Sequence, residues 1–449
     1  MTDVSGEVDG RAAVRTAAKT IGAELLLLGA LPFNLGVTAA ALVRSLVAPA
    51  PPTEVPAAGS KTILISGGKM TKALQLARSF HRVGHRVVLV ESAKYRFTGH
   101  RFSRSVDRFH VVPSPDAETY AAELLRIVRD EGVDVYVPVC SPVASAFDAR
   151  AKAMLAPHCE VVHGDADLID QLDDKDAFAR LAVSLGLPVP DTHRITDPQQ
   201  VLDFDFSGRP RSYILKSIPY DPVHRLDLTP LPLATEPETI AFLAARTISP
   251  EVPWILQELI EGQEFCTHST VRRGEVQLHC CCESSAFQVN YEMVDKPAIR
   301  AWVERLVGAV GITGQVSMDF IEEPDGSLFA IECNPRTHSA ITMFYDHDGV
   351  AAAYLEDGVA AIEPHPDSRP TYWLYQELWR LLSHPSTAPT RWRTIREGKD
   401  AIFDWSDPLP FLVLHHVQVP WLLLGNLVRG RPWIRVDFNI GKLVEPAGD

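Results

Sequence analysis

The sequence predicts an α/β unit followed by a mixed α+β unit, with apolar helical segments at both ends. Three observations lead there. Strand, glycine turn and helix alternate over residues 61–164, the pattern changes to helices and hairpin-forming strands from residue 165, and residues 25–43 and 411–428 are long apolar runs. The boundaries that follow are 1–60, 61–164, 165–360 and 361–449. A chain of 449 residues is long enough for several such units, each with its own core.

In the first segment, residues 25–43 carry no charge and lie between Arg11, Arg15 and Lys19 on one side and Arg44 on the other. This composition suits a membrane span, a helix lying on a membrane, or half of a buried helical pair. No clean small-residue cleavage site follows it, which argues against a secretory signal, and the run around Pro49, Pro51 and Pro52 reads as a linker. The second apolar run is interrupted by His415, His416 and Pro420 and ends at Arg429 and Arg431, which weakens a spanning reading.

Next, residues 62–65 read as a short strand ending in Ser66-Gly67-Gly68, and Leu74, Ala77 and Phe80 have helical spacing. Residues 86–91 supply a second strand, 120–129 a helix and 133–139 a third strand. The result is a small doubly wound parallel sheet whose loops at 66–69 and 140–145 face a ligand. The glycine turn matches neither GxGxxG nor GxxxxGK[ST], so neither NAD nor a P-loop is expected, and a plain tight turn and a phosphate cradle both remain open.

In the second unit, Lys175 follows Asp173 and Asp174, so it is either a phosphate ligand or part of a helix-start charge cluster. Lys216 ends the apolar strand Tyr213-Ile214-Leu215-Lys216-Ser217, as a cation reaching toward phosphates or as an edge-strand solubility lysine. Gln257-Glu258-Leu259-Ile260 is extended backbone suited to an adenine edge, with Glu264 placed for ribose hydroxyls; alone it would be an ordinary hairpin. Most informative is Val316-Ser317-Met318-Asp319-Phe320, a Pro-Asp-Gly turn, and Leu328-Phe329-Ala330-Ile331-Glu332-Cys333-Asn334-Pro335-Arg336. Residues two apart on a strand share a face, so Glu332 and Asn334 stand side by side, with Asp319 on the partner strand. Solvated surface acids are the bland alternative, but acids embedded in apolar strands need a partner, and hard oxygen ligands suit Mg²⁺. Arg336 then serves to grip a phosphoryl group or an anionic substrate.

Composition narrows the partners. Against 43 Lys and Arg stand 57 Asp and Glu, a formal charge of −14 that argues against nucleic acid. Seven cysteines form no disulfide framework, and the run Cys280-Cys281-Cys282 alternates faces on a strand, so it does not converge on one zinc. A reducing cytoplasm is expected, with membrane association as an alternative. The region beyond 365 carries Trp373, Trp379, Trp392 and Trp405 and no catalytic pattern.

Taken in order, Lys175, Lys216, the Gln257–Ile260 stretch with Glu264, and Asp319 with Glu332-Cys333-Asn334-Pro335-Arg336 resemble the ATP-grasp superfamily, in its carbamoyl-phosphate-synthetase-like branch. The resemblance implies a Rossmann-like pre-ATP-grasp domain and a two-subdomain ATP-grasp fold with residues 200–265 as lid. It further implies ATP held by Lys175, Lys216, Gln257, Glu258, Leu259, Ile260 and Glu264, Mg²⁺ (or Mn²⁺) on Asp319, Glu332 and Asn334, and catalytic roles for Arg336 and Lys216. Longer phrases, among them Ser66-Gly67-Gly68-Lys69-Met70 and Arg336-Thr337-His338-Ser339-Ala340, resemble a member that joins glycine to the enol 4-deoxygadusol with release of ADP and phosphate. Ser66, Lys69, Ser141, Ser145, Glu283, Arg336 and His338 are its candidate substrate contacts; His338 is equally a structural hydrogen bonder and Glu283 a solvated strand-end acid. The competing expectations are a ligase making an amide from a carboxylate and an amine, and a membrane-associated ATP-binding scaffold without turnover. Partners would be small molecules, with peripheral membrane contact through the apolar ends and a homo-oligomer as further expectations.

Overall fold

Apolar β-branched runs spaced by helices build the first layer. The structure, a computed structural model, describes residues 10–47, 59–139, 141, 144–219, 221, 223–224, 226–284 and 290–446. The expected Pro-rich linker and residues Cys140, Pro142 and Val143 of the 140–145 loop lie outside them. Strands β1 (Thr62–Ile65), β2 (Arg86–Ser92), β3 (Arg108–Val112), β4 (Val135–Val137) and β5 (Glu160–Val161) form a parallel sheet in the order β3-β2-β1-β4-β5. The order reverses between β1 and β4, where an open α/β sheet leaves a crevice at its carboxyl ends. Sequence reading missed β3 and β5. Both are edge strands, and β3 keeps Arg108 and Val111 exposed, so neither shows the buried apolar run that marks β1 and β2.

Gly67 makes the turn after β1. Its φ of 68° lies in the left-handed region, and a Cβ there would sit 2.1 Å from the Val139 carbonyl oxygen. The glycine is therefore fixed by the close approach of this turn to the end of β4.

The second unit has two sheets. Strands β6 (Thr192–Ile195), β7 (Tyr213–Ser217) and β8 (Trp254–Glu258) form an antiparallel sheet in the order β6-β8-β7, packed with the helix Glu236–Ala244 around Tyr213, Leu215, Trp254 and Leu256. Strands β9 (Gln263–Arg272) and β10 (Glu275–Glu283) precede the short β11 (Asn290–Tyr291). With β12 (Gly314–Glu322) and β13 (Leu328–Asn334) they give the antiparallel order β10-β9-β12-β13, backed by the helix Pro297–Val310. On β10 the three cysteines alternate as expected: Cys280 and Cys282 enter the core shared with the first sheet, and Cys281 enters the core under Trp302.

Residues beyond 365 are built into the first unit. Trp373 Nε1 donates to Thr71 Oγ1 at 3.0 Å, Gln418 Oε1 accepts from the Gly99 amide at 2.8 Å, and the Thr71 amide donates to the Asn439 carbonyl at 2.9 Å. Arg78, on the helix Thr71–Arg82, donates through Nε to Asp407 at 2.9 Å, and Asp407 also accepts from Ser103 Oγ at 2.6 Å and the Arg104 amide at 3.0 Å. Finally the helix Gly10–Val47 packs along the helix Val419–Arg429, with Lys19 donating to the carbonyls of Trp433 and Ile434 and Asn34 bonded to Tyr375 and His416.

The Arg78–Asp407 pair is buried, so removing one partner leaves a charge without its counter-ion. Asp407→Ala is expected to destabilise the chain by about 3 kcal/mol, read as a lower urea midpoint in equilibrium unfolding.

Candidate functional site

The hairpin of β12 and β13 places Asp319 directly opposite Glu332 in the strand register, with Cys266 of β9 on the other side of Asp319. Asn334 projects beside Glu332, its Nδ2 donating to Glu332 Oε1 at 3.3 Å. Two facing carboxylates in a half-buried cleft do not both ionise easily. Burial first, and then the charge of Glu332, raises the pKa of Asp319 well above the usual carboxylate range. Glu332 moves the other way: burial opposes its ionisation, but Lys175, the hydrogen bond from Asp319 and the charge of Lys216 together hold it ionised far below that range. Burial and the neighbouring charges thus push the two acids in opposite directions.

Lys175 is the first residue of the helix Lys175–Ser184. Its Nζ lies 3.5 Å from Glu332 Oε2. The neighbouring acids are engaged elsewhere, since Asp174 caps that helix and pairs with Arg194 at 2.8 Å, and Asp173 pairs with Arg336 at 2.8 Å. The helix-start charge cluster is therefore divided, and Lys175 points to the hairpin. Lys216 stands on β7 opposite Ile255. Burial lowers its pKa most, Lys175 lowers it further, and the charges of Glu332, Glu264 and Asp319 offset this, so the five groups lie within electrostatic reach of one another. Arg336 turns its second guanidinium nitrogen to Asn334 Oδ1.

The rest of the expected nucleotide contacts are divided. Gln257 is buried and directs Nε2 toward Thr192 Oγ1 at 3.4 Å and the Ile331 carbonyl at 3.5 Å; Glu258 pairs with Arg211 at 3.2 Å. Their side chains are committed inside the protein, so an adenine ring would meet backbone here. The Leu259 amide already donates to the Ser212 carbonyl at 2.8 Å, and Ile260 is buried. Glu264 is half-buried beside Lys216.

Of the expected substrate contacts, Ser66, Lys69 and Ser141 line one crevice of about 410 Å³ at the carboxyl ends of the parallel strands, together with Glu91, Ser92 and Asp116. The hairpin acids do not line it. Within it, Lys69 Nζ lies 3.8 Å from Glu91 Oε1 and 4.0 Å from the Tyr95 ring centroid. Ser145 is buried and donates to the Pro335 carbonyl at 3.1 Å, which ties the crevice wall to the end of β13. Glu283 and His338 do not line this crevice. Glu283 is exposed at the far end of β10. For His338, burial and then the charges of Lys72 and Arg336 push the pKa down to about 3. It is neutral at neutral pH, accepts from the Ala340 amide at 3.3 Å, and so takes the structural side of the two alternatives. Sequence reading missed Lys72, which is buried and donates to the Thr337 carbonyl, and Gln315, which accepts from Thr337 Oγ1 at 2.5 Å and Tyr354 OH at 2.7 Å. Both hold the segment after β13 through partners hundreds or tens of residues distant, and no local pattern marks them.

The donor set fits Mg²⁺. Among the described residues no group of three His, Cys, Asp or Glu side chains gathers into a metal cage, and what is present is two facing carboxylates with an amide. Mg²⁺ is ordinarily held by one or two carboxylates and completed by phosphate oxygens and water, a requirement that two facing carboxylates beside an amide match.

A parallel α/β sheet followed by a three-stranded and a four-stranded antiparallel sheet is the mixed architecture that the sequence predicts. Solved structures share it. The N5-carboxyaminoimidazole ribonucleotide synthetase PurK, in its ADP complex, superposes with a TM-score of 0.55 at 15% identity over 74% of this chain and 86% of its own. The biotin carboxylase of Campylobacter jejuni gives 0.52 at 14% identity over 66% of this chain and 71% of its own. By sequence, the large chain of carbamoyl phosphate synthase from Vibrio cholerae is 24% identical over 275 residues, 56% of this chain and 23% of the relative. The C-terminal section of that large chain from Methanopyrus kandleri is 24% identical over 218 residues, 43% of this chain and 38% of the relative. This chain therefore spans well under half the length of these curated relatives. No family model matches it.

The raised pKa of Asp319 has a sign that can be measured. Between the ordinary carboxylate range and its raised value the folded chain binds a proton that the unfolded chain has released, so this group's contribution to stability is full below that window and falls as pH rises through it. Asp319→Asn keeps a donor to Glu332 without the titration. At pH 8 the ligand-free variant is expected to melt about 2–4 °C higher than the wild type, with the difference vanishing at low pH, in paired thermal melts.

Proposed function

We propose that the chain is an ATP- and Mg²⁺-dependent ligase that phosphorylates an oxygen of one small molecule and joins an amine in its place. The observation that carries this is the convergence of Lys175, Lys216, Asp319, Glu332, Asn334 and Arg336 on one cleft. Phosphoryl transfer chiefly needs alignment and charge neutralisation, which such a set supplies without a protein nucleophile. Lys175 and Lys216 hold the nucleotide phosphates, and Arg336, oriented by Asp173, meets the transferred group or the acceptor's anion. Asp319, Glu332 and Asn334 would hold Mg²⁺, which neutralises phosphate charge when bound. Glu264 is placed for the ribose.

The finer reading is that of mycosporine-glycine synthetase, with glycine and 4-deoxygadusol as substrates. Its support is the set of phrases spread along the chain, including Glu264-Phe265-Cys266-Thr267-His268 and Arg336-Thr337-His338-Ser339-Ala340. The enol of a 1,3-diketone is a vinylogous acid. Its oxygen attacks the γ-phosphorus of ATP and the bond to ADP breaks; the amine of glycine then adds to the activated ring carbon, the carbon–oxygen bond breaks and phosphate departs. The ammonium proton is lost to solvent. In this reading Ser66, Lys69 and Ser141 supply polar contacts to the ring from the crevice wall.

The test is ADP and phosphate release by the purified chain with ATP, Mg²⁺, glycine and 4-deoxygadusol, each omitted in turn, with products identified by mass spectrometry. Release that requires the ring compound and yields its glycine adduct is expected. Turnover only with a carboxylate acceptor would instead assign the amide-forming reaction, and no turnover with any acceptor would sink the ligase reading. Lys216→Met and Glu332→Gln are each expected to lower turnover by at least about 10²-fold with an unchanged circular dichroism spectrum.

A further inference from the structure

The helix Gly10–Val47 buries Leu27 and Ala41 against the protein but leaves most of its leucines exposed. The side chains it buries against the protein include Thr20, Asn34 and Thr38, each under 5% exposed, while Leu25, Leu26, Leu28 and Phe33 are 62–69% exposed. Only 22% of its most apolar 18-residue window is buried. A helix of a water-soluble domain turns its apolar stripe inward, so this polarity calls for an apolar neighbour outside the fold. The helix Val419–Arg429 extends the same outward surface with Trp421, Leu424 and Val428, the last 85% exposed.

We infer that this two-helix face docks in the plane of an anionic phospholipid bilayer. Two further observations select that occupant and that orientation. First, the helix is pinned to the body at two places: Lys19 donates to the Trp433 and Ile434 carbonyls at 3.0 and 2.7 Å, and Asn34 bonds Tyr375 and His416, both at 2.6 Å. Those anchors are roughly 22 Å apart along the axis at 1.5 Å per residue, and the exposed leucines lie between them. Crossing the bilayer would break these bonds, whereas lying in one leaflet keeps them. Second, a cavity of about 580 Å³ at the helix Val419–Arg429 is lined by the apolar Trp421, Leu424 and Val428 and by four cations, Lys94, Arg96, Arg429 and Arg431, against one acid, Glu445. An acyl chain below a phosphate has this division of chemistry, and an indole at the boundary is where tryptophan partitions in bilayers.

This inference stands apart from the proposed reaction and is tested without it, by flotation of the full chain with vesicles. The wild type is expected to float with phosphatidylcholine vesicles containing phosphatidylglycerol and more weakly with phosphatidylcholine alone. The triple variant Leu25→Ser, Leu28→Ser, Phe33→Ser changes only exposed side chains and is expected to stop floating with its melting curve unchanged. Arg429→Gln and Arg431→Gln together are expected to lower partitioning onto the anionic vesicles by about fivefold per charge and to leave the weaker binding as it was. The inference is overturned if the wild type stays in the dense fraction with both vesicles, or if the triple variant floats equally well. It is also overturned if the wild type sediments as a dimer that the triple variant converts to a monomer, which would assign the face to a second copy. Retention of the wild type in vesicles after an alkaline carbonate wash would assign a span and overturn the in-plane orientation.

Discussion

Two carboxylates facing each other across one hairpin constrain most of what surrounds them. Asp319 and Glu332 are paired by strand register, so neither can move away without breaking the β12–β13 ladder. Their mutual repulsion is offset by Lys175, which comes from the start of a helix more than a hundred residues earlier in the chain. Lys216 comes from the other sheet, on the strand beside β8. A cleft that must bring cations to these acids from two separate elements is held open between two sheets, and a ligand with several negative charges and a metal can replace the internal ion pairs.

The parallel sheet contributes a different surface. Its crevice at the switch point is lined by hydroxyls, Lys69 and acids, and it joins the hairpin through the bond from Ser145 to the Pro335 carbonyl. The segment after β13 is held from below by Lys72 and by the Thr337–Gln315–Tyr354 bonds. In a ligase of the proposed kind, the site of phosphoryl transfer and the acceptor site then share one short stretch of backbone, residues 335–338, whose position is set by the first unit and the second together.

Much of this was readable from residue order. The hairpin could be read because a Pro-Asp-Gly turn joins two apolar strands and the strand period of two sets Glu332 beside Asn334. Lys216 was marked by its position at the end of an apolar strand. What could not be read is whatever depends on distant partners or weak local signals. β3, with Arg108 and Val111 exposed, looks like loop until β2 pairs with it. Gln257 and Glu258 sit in the expected extended stretch, but their side chains find Thr192, Ile331 and Arg211 instead of facing the cleft. His338 follows the arginine and suggests an anion binder by residue type; burial beside Lys72 and Arg336 removes its charge. The apolar N-terminal run was visible, whereas its polar inner face depends on where Trp433, Tyr375 and His416 fall in space.

The bonds from Thr71, Arg78 and Gly99 to Trp373, Asp407, Gln418 and Asn439 impose an order of events on synthesis. The helix Thr71–Arg82 is made some three hundred residues before these partners, which lie between residues 373 and 439. At about 5–20 residues per second, the interval is tens of seconds, during which the buried face of that helix and the guanidinium of Arg78 lack their final neighbours. The parallel-sheet unit is thus finished only after residues 373–439 have been made.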